Sequence, residues 1–215
     1  MRFRDRAEAG RLLLDRLKVT DPGNTVVIAL PRGGLPVGAV IAERLGVPLD
    51  VILVRKVGAP MQPELAVAAV TDGDEMQITV NEDIKAELGL TDKEIEDLAR
   101  RQLPEIERRR QTYYQGHKPT PLADRTVIVV DDGVATGATL NSALRLIRRQ
   151  KPKRLIVALP VAPSDALARL ERHADEVVCL STPSPFYAVG AHYADFSQVD
   201  DAEVIEILRR NRDAT

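Results

Sequence analysis

Short runs rich in apolar residues alternate with amphipathic stretches along most of the chain. Apolar runs of strand length, without the spacing of a helix, are typical of strands that are buried on both faces of a sheet. The runs that we predict to be strands of this kind are Thr25–Leu30, Asp50–Val54, Val127–Val130, Arg154–Pro160 and Glu176–Leu180.

Between these strands, apolar residues recur at the three- to four-residue spacing of helices. The predicted helices are Ala7–Leu17, Leu35–Leu45, Leu140–Arg149, Asp165–Arg172 and Asp201–Arg210. Strands that alternate with helices predict an α/β fold of three layers, with a mostly parallel sheet covered by helices on both faces. In such a sheet, ligands bind at the carboxyl ends of the strands.

Residues 57–121 interrupt the alternation and are predicted to form an insert with a hairpin and helices. Two β-rich runs, Leu65–Val70 and Met76–Val80, flank a turn that contains Asp-Gly, which predicts a hairpin. Thr91–Glu94 has the form of a capping box and should begin a long charged helix. Pro104 should kink or divide that helix.

Length and composition limit the classes of protein to be considered. The 215 residues allow one substantial domain, so we expect residues 1–215 to form a single domain. A net charge of −2 and the absence of tryptophan argue against a nucleic-acid-binding protein. No apolar run is long enough to span a membrane, and the first residues lack a signal-peptide pattern. With Cys179 as the one cysteine, these features predict a cytoplasmic location without disulfides.

The stretch Val127–Leu140, VIVVDDGVATGATL, places two acids and a loop of small residues between a strand and a helix. Asp131 and Asp132 can accept hydrogen bonds from a vicinal diol. The small residues let backbone N–H groups turn toward a phosphate, and Thr136 and Thr139 add hydroxyl donors. The following helix directs its positive N-terminus at the same place. This order of parts predicts a sugar-phosphate site.

The same stretch resembles the signature with which type I phosphoribosyltransferases bind 5-phosphoribosyl 1-pyrophosphate (PRPP): an apolar strand, two acidic residues and a loop ending in T-G-x-T. The resemblance implies that Asp131 and Asp132 are catalytic residues that hold the ribose hydroxyls. It also implies that the following loop binds the 5-phosphate. That loop consists of Gly133, Val134, Ala135, Thr136, Gly137, Ala138 and Thr139. The alternative is an ordinary strand–turn–helix with a solvated acidic turn.

Two further segments match parts of the family that bind pyrophosphate. Arg32, Gly33 and Gly34 follow the first predicted strand, where the family has its pyrophosphate loop and often a cis peptide bond that does not involve proline nitrogen. We therefore expect such a bond between Leu30 and Gly33. Lys56 ends the second predicted strand, where the family commonly directs a lysine at pyrophosphate, and it is our third catalytic candidate. A glycine turn and solvated strand-end charges are the plain alternatives.

The segment 181–200 is irregular and rich in proline, glycine and aromatic residues, and it is predicted to form a hood over the base. A flat base needs a stacking surface and a few polar groups, and in the family, C-terminal segments contribute to such a hood. Phe186, Tyr187 and His192 are the candidate base-binding residues. An equally weighted alternative is that the aromatic residues form a small local core.

Two features depart from the family pattern or carry no assigned role. Ala135 stands where enzymes that salvage 6-oxopurines usually have Asp, which weakens a hypoxanthine–guanine role without establishing an adenine role. The mobile lid of the family is replaced by the insert, in which no single catalytic residue can be identified. Its arginines alternate with acidic residues and are interpreted as a solvated or dimer-facing helix surface. They are Arg100, Arg101, Arg108, Arg109 and Arg110.

The resemblance implies transfer of ribosyl 5-phosphate from PRPP to a nitrogenous base, with release of pyrophosphate. It also implies Mg²⁺, held mainly by substrate and water with no direct protein ligands. We expect a homodimer, and from the composition we expect no nucleic-acid or membrane partners. One alternative is a regulatory module that senses PRPP or a nucleotide without catalysing transfer. A weaker one is a PRPP synthase-like diphosphotransferase, for which no ATP site is apparent.

Overall fold

The computed structural model describes residues 1–71 and 77–214, which form eight strands and eight α-helices. The strands are β1 Thr25–Ala29, β2 Leu49–Val51, β3 Val54–Ala59, β4 Gln62–Thr71, β5 Gln77–Val80, β6 Thr126–Val130, β7 Arg154–Val161 and β8 Glu176–Ser181. The helices are α1 Arg6–Leu14, α2 Gly34–Leu45, α3 Glu82–Leu88, α4 Asp92–Arg100, α5 Leu103–Tyr114, α6 Ala138–Arg149, α7 Ser164–Leu170 and α8 Asp201–Ala214. Among them, no helix has both the length and the apolar character needed to cross a bilayer.

A parallel sheet with the strand order β2-β1-β6-β7-β8 forms the middle layer. Alternate residues of each strand point to opposite faces. Val27 and Ala29 of β1 pack in a core with α1, α2 and α8, whereas Val26 and Ile28 pack in a second core with α6 and α7. The predicted three-layer α/β fold is therefore confirmed.

The register of the sheet places the carboxyl ends of β1 and β6 side by side. Ala29, the last residue of β1, pairs with Val130, the last residue of β6. The N–H of Leu30 then donates to the Val130 carbonyl oxygen at 3.0 Å. The loops that begin at Leu30 and Asp131 therefore leave the sheet side by side at its carboxyl edge.

A second, antiparallel sheet has the order β3-β4-β5 and lies in the insert except for residues 54–56, with which β3 begins. The two strands of the predicted hairpin are present as β4 and β5, and its turn at residues 72–76 lies outside the described residues. The strand predicted over Asp50–Val54 is corrected: β2 ends at Val51, and Val54 begins β3. The reason is pairing, since Val54 lies opposite Thr71 of β4 and not beside β1.

The helical part of the insert follows the predicted signals closely. Thr91 and Glu94 form the capping box at the start of α4, because each side chain accepts from the other residue's backbone N–H. Pro104 lies in the first turn of α5, so the long charged helix is divided into α4 and α5. Asn81 caps α3, a short helix that the sequence pattern did not predict.

The first residues of the chain and the hood segment meet beside the sheet. Phe3 and Tyr193 form a parallel β-bridge, and their rings are 5.3 Å apart between centroids. Both rings are buried with Ala9 and Val161 in a small separate core. The hood segment is therefore fixed to the start of the chain.

Candidate active site

A cleft of about 220 Å³ opens at the carboxyl edge of the parallel sheet, between the sheet and the insert. It is lined by Leu30, Pro31, Ile52, Leu53, Val54, Arg55, Ile106, Arg109, Asp131 and Thr139. Two of these residues, Asp131 and Thr139, belong to the motif after β6. Leu30 and Pro31 begin the loop after β1, and Ile106 and Arg109 come from α5. The cleft therefore joins both predicted ligand loops to a helix of the insert.

Asp131 is the carboxylate that faces this cleft. Burial raises the pKa of Asp131 well above its ordinary value, and the neighbouring charge of Asp132 raises it further. One of its oxygens accepts from the N–H of Asp132 at 2.9 Å. A poorly solvated carboxylate gains more than an exposed one from the hydroxyl donors of a bound sugar, because it has few other partners.

Asp132 is held in a different way, by an ion pair with Arg6 of α1. Arg6 Nε lies 2.8 Å from Asp132 Oδ2, and the two side chains are only 10% and 13% exposed. Burial raises the pKa of Asp132, and the hydrogen bond from Arg6 opposes that rise. The Tyr193 hydroxyl donates to the Asp132 carbonyl at 2.6 Å. Asp132 is thus anchored to the N-terminal helix and to the hood segment.

Sequence reasoning did not identify Arg6 as a site residue. Its guanidinium also donates to the Ser197 carbonyl at 2.8 Å and lies 4.0 Å from the centroid of the Phe196 ring. The ring distance is within the range of a cation–π contact. The residues in these contacts are separated by 126 or more positions in the chain, so no local motif could have revealed them.

The loop from Gly133 to Thr139 turns directly into α6. Gly137 precedes the helix with φ of 72°, a conformation that glycine adopts without strain. The N–H of Val134 donates to the Val161 carbonyl at 3.1 Å and fixes the start of the loop on β7. Ala135, Thr136 and Thr139 are exposed. The loop therefore presents small side chains, hydroxyls and the N-terminus of a helix to solvent.

The loop after β1 packs directly against the acid pair. The Pro31–Arg32 peptide bond is cis, so the expected non-proline cis bond in this loop is confirmed. A Cβ added to Gly33 would lie 2.0 Å from Asp132 Oδ2, and one added to Gly34 would lie 2.7 Å from the Val130 carbonyl oxygen. Glycine is therefore required at both positions for the two loops to approach each other.

Arg32 and Lys56 lie beside the cleft and not among its lining residues. Arg32 Nη1 is 3.7 Å from Asp201 Oδ1 at the start of α8, where Asp201 also accepts from Tyr113 at 2.6 Å. Lys56 is half-buried in β3, and its neighbour Arg55 is the one that lines the cleft.

The insert contributes a cation that sequence reasoning assigned to a solvated surface. Arg109 lines the cleft and is 23% exposed, and Glu105, one helical turn earlier, accepts from its Nε at 2.8 Å. The hydrogen bonds from Arg108 and Arg109 lower the pKa of Glu105 to about 2. The helical spacing of Glu105 and Arg109 was visible in the sequence, but the cleft beside the helix was not.

The hood residues lie apart from the lining of the cleft as far as the structure describes it. Phe186 stacks on His192 with ring centroids 5.6 Å apart, and Tyr187 is 83% exposed. Val189 contacts the loop that begins with Asp131 and Asp132, which we call the acid loop, since a Cβ on Gly133 would come within 2.7 Å of its side chain. The alternative, a small local core of the hood aromatics, is present in part: Tyr193 is buried beside Phe3 and Phe186 packs against that core, whereas Tyr187 is exposed.

Comparison with known proteins identifies relatives of the whole chain. A family model described as a phosphoribosyl transferase domain matches residues 6–195. Two proteins of Mycobacterium tuberculosis, from strains CDC 1551 and H37Rv, are each 42% identical over 208 residues and are provisionally named phosphoribosyl transferases. The match covers 97% of this chain but 46% of each relative, so the chain spans about half their length.

A solved structure shows the same fold. The crystal structure of the protein TT1426 from Thermus thermophilus superposes with a TM-score of 0.85 at 44% sequence identity. The match covers 98% of this chain and 99% of that chain. The insert and the hood are therefore part of an architecture that the two proteins share.

Proposed function

The chain belongs to the phosphoribosyl transferase family, and from that premise we propose that it transfers ribosyl 5-phosphate from PRPP to a nitrogenous base and releases pyrophosphate. The observation that carries the proposal is the cleft at the sheet edge. There Asp131 and Thr139 of the motif share one cavity with the loop after β1.

In the proposed complex, the motif loop binds the ribose phosphate end of PRPP. The amides at the start of α6 and the hydroxyls of Thr136 and Thr139 donate to the 5-phosphate, which the positive end of the helix also attracts. Asp131 accepts hydrogen bonds from the ribose diol. Asp132, already paired with Arg6, fixes the position of the acid loop against Gly33 and adds an acceptor.

The pyrophosphate end lies over the loop after β1. The amides of Gly33 and Gly34, with the side chain of Arg32, donate to its oxygens. Lys56 is proposed as a further cation from the family resemblance, and Arg55 and Arg109 from their position in the cleft. Negative charge grows on pyrophosphate as the glycosidic bond breaks, so fixed cations there stabilise the transition state more than the ground state.

The remaining work of the protein is positioning. The carbon under attack becomes oxocarbenium-like, and the base nitrogen must lie in line with the leaving group. The apolar side chains of Ile52, Leu53 and Ile106 form walls that exclude water from the cleft. Water would otherwise compete with the base and hydrolyse PRPP.

The residues of the cleft fit a Mg²⁺ ion held mainly by the substrate and water. Mg²⁺ prefers oxygen ligands and commonly keeps several waters when it binds phosphates. Asp131 supplies one carboxylate near the substrate oxygens, and the other carboxylate of the pair is engaged by Arg6. When bound, the ion neutralises part of the charge of pyrophosphate.

The test is incubation of the protein with PRPP, Mg²⁺ and a panel of purine and pyrimidine bases, with pyrophosphate release followed continuously. We expect release that depends on one base and that Asp131→Asn abolishes. Arg210→Gln, on the exposed face of α8, serves as the control. Tight binding of PRPP with no release under any base would favour the sensing module, and no binding of PRPP would refute the proposal.

Whether Arg55 or Lys56 of β3 supplies a cation to pyrophosphate is tested by comparing Arg55→Ala with Lys56→Ala in the same assay. Lys56→Ala should lower turnover far more than it weakens binding of ribose 5-phosphate, because this product lacks the leaving group. If Arg55→Ala alone lowers turnover, the role belongs to Arg55.

A further inference from the structure

A second and larger cavity, of about 600 Å³, lies between the insert and the helices α6 and α7. Its lining comes from β5, from the start of α3, from α6 and from the segment that follows α7. The lining residues are Ile78, Thr79, Val80, Glu82, Arg145, Arg148, Arg149, Arg172, His173, Ala174 and Asp175. None of these residues belongs to the cleft described above, and we call this cavity the arginine pocket.

The arginine pocket contains an excess of positive charge. Four guanidinium groups line it, against the two carboxylates of Glu82 and Asp175. Asp175 is engaged by Arg148 through two contacts of 3.0 and 3.1 Å, and Glu82 lies 3.5 Å from Lys85. Within residues 1–71 and 77–214, Arg145, Arg149 and Arg172 have no carboxylate partner in an ion pair.

This positive charge affects the pKa of His173, the histidine that lines the pocket. Burial lowers the pKa of His173, and the guanidinium groups of Arg145, Arg172 and Arg148 lower it further. Arg145 Nε donates to His173 Nε2 at 3.4 Å, which requires the imidazole nitrogen to be unprotonated. Three guanidinium groups therefore lie close enough to His173 to affect its pKa.

A buried hydroxyl in the pocket wall lacks a partner. Thr79 of β5 is 7% exposed, and its Oγ1 forms no hydrogen bond among the described residues. A buried polar group without a partner costs stability, so such groups in native proteins usually have a ligand or a water to bind. Thr79 lines the same cavity as the arginines of α6.

Stabilisation of helix ends explains only part of this arrangement. Arg148 and Arg149 lie in the last turn of α6, where cations interact favourably with the helix dipole. Arg145 lies one turn earlier, and Arg172 follows a different helix. The convergence of side chains from α6 and from the segment after α7 on one cavity is not required by the stability of either helix.

We propose that the arginine pocket binds a small anion that carries two or more linked phosphate groups, of the class of nucleoside di- and triphosphates. Guanidinium groups match phosphate oxygens in pairs of hydrogen bonds, and several of them suit a chain of phosphates better than a single phosphate. The volume leaves room beyond the phosphates, and Ile78, Val80 and Ala174 supply apolar wall for an organic group. The site is separate from the proposed PRPP cleft and does not depend on its activity.

The test is calorimetric titration with ATP and, separately, with inorganic tripolyphosphate, at physiological salt and without PRPP. The test variant is Arg145→Gln with Arg149→Gln, both exposed on α6 and therefore replaceable without loss of the fold. The matched control is Arg209→Gln with Arg210→Gln, which removes two exposed charges from α8. A third variant, Arg109→Gln, reports binding in the cleft.

We expect the α6 variant to lose roughly tenfold or more in affinity at the arginine pocket, as for a lost charge-assisted hydrogen bond, and the α8 variant to bind like wild type. Arg109→Gln should weaken only binding in the cleft and keep the affinity of the arginine pocket. Equal affinity for ATP and tripolyphosphate would show that the phosphate chain alone is recognised. Tighter binding of ATP would show that the nucleoside is recognised as well. The proposal is overturned if wild type binds neither probe at millimolar concentration, or if affinity is lost in Arg109→Gln and kept in the α6 variant.

A second readout follows from His173. An anion among the arginines should raise the pKa of His173, since it opposes their charge. The imidazole proton resonances should therefore titrate at higher pH with ATP bound, in wild type and not in the α6 variant. An unchanged titration in saturated wild-type protein would contradict binding at this place.

Discussion

The two adjacent aspartates of the motif have different surroundings, although they are neighbours in one loop. Asp131 faces the cleft, and its carboxylate has little compensation for burial. Asp132 is compensated by Arg6, which is itself held by Ser197 and Phe196. At the scale of single residues, the pair therefore divides into a group that faces the cleft and a group that fixes the loop.

Replacing Arg6 should be costly for stability. Arg6→Gln leaves Asp132 buried without its cation, and breaking a buried pair costs roughly 3 kcal/mol in the free energy of unfolding. Urea unfolding measures this, with Arg4→Gln as the matched control. Arg4 is 66% exposed in its contact with Asp5, so its loss should change little. Equal effects of the two variants would show that the Arg6 pair does not stabilise the fold.

Asp131→Asn should stabilise the protein at neutral pH while it weakens the proposed binding of PRPP. Because the pKa of Asp131 is raised, the folded protein holds this proton over a pH range in which the unfolded chain has lost it. The stability contribution of Asp131 therefore falls as pH rises through that range, and the neutral amide avoids the loss.

Calorimetric melting between pH 4 and pH 8 tests the sign of this effect. The melting temperature of Asp131→Asn should exceed that of wild type at pH 7. The difference should become smaller as the pH is lowered to about 4, near the ordinary pKa of an aspartate. PRPP affinity at pH 7 should fall roughly tenfold or more with the loss of charge-assisted bonds. A difference that is independent of pH would contradict the raised pKa.

At the scale of elements, the site depends on how closely two loops pass at the sheet edge. Pairing of Ala29 with Val130 sets the two loops at one level, and glycines let them touch. The sequence predicts both loops, because each follows a strong apolar run. It does not predict the start of β3 at Val54, since Val54 continues an apolar run and only pairing with β4 separates it.

Gly34→Ala tests the close approach of the loops. The added Cβ would lie 2.7 Å from the Val130 carbonyl oxygen, which is backbone and cannot move aside like a side chain. We expect a loss of about 1–3 kcal/mol in the free energy of unfolding, as for overpacking of a core. Gly23→Ala is the control, because its nearest neighbour is 3.9 Å away at Asp21 Oδ1. A loss of similar size in both variants would argue against the contact.

At the scale of the whole molecule, the cleft is formed by the parallel sheet and by the insert. The sequence pattern does not indicate that these two parts meet. The parallel sheet and its motif loop follow from local patterns and could be predicted. The wall formed by Ile106 and Arg109 could not, because the alternating charges of α5 suit a solvated helix equally well. Arg6 is missing from the prediction for a related reason, since only the packing of α1 brings it to Asp132.

The contribution of the insert can be measured through Arg109. Arg109→Gln removes a cation from the cleft, and we expect kcat/KM for PRPP to fall roughly 10- to 100-fold, with most of the loss in kcat. Arg101→Gln is the control: Arg101 is an exposed residue between α4 and α5 that takes no part in the cleft lining. Unchanged kinetics in Arg109→Gln would return α5 to the role of a surface helix.

The ion pair between Arg6 and Asp132 also bears on how the chain folds. Its partners are 126 residues apart, and the contact of Arg6 with Ser197 spans 191 residues. Contacts of such separation form late, because a long loop must close before they contribute any stabilisation. During synthesis, the contacts of Asp132 with Tyr193 and of Arg6 with Ser197 can form only after the hood has emerged. We expect a chain arrested before that point to contain all five strands of the parallel sheet but to lack the contacts that fix Arg6 and the acid loop.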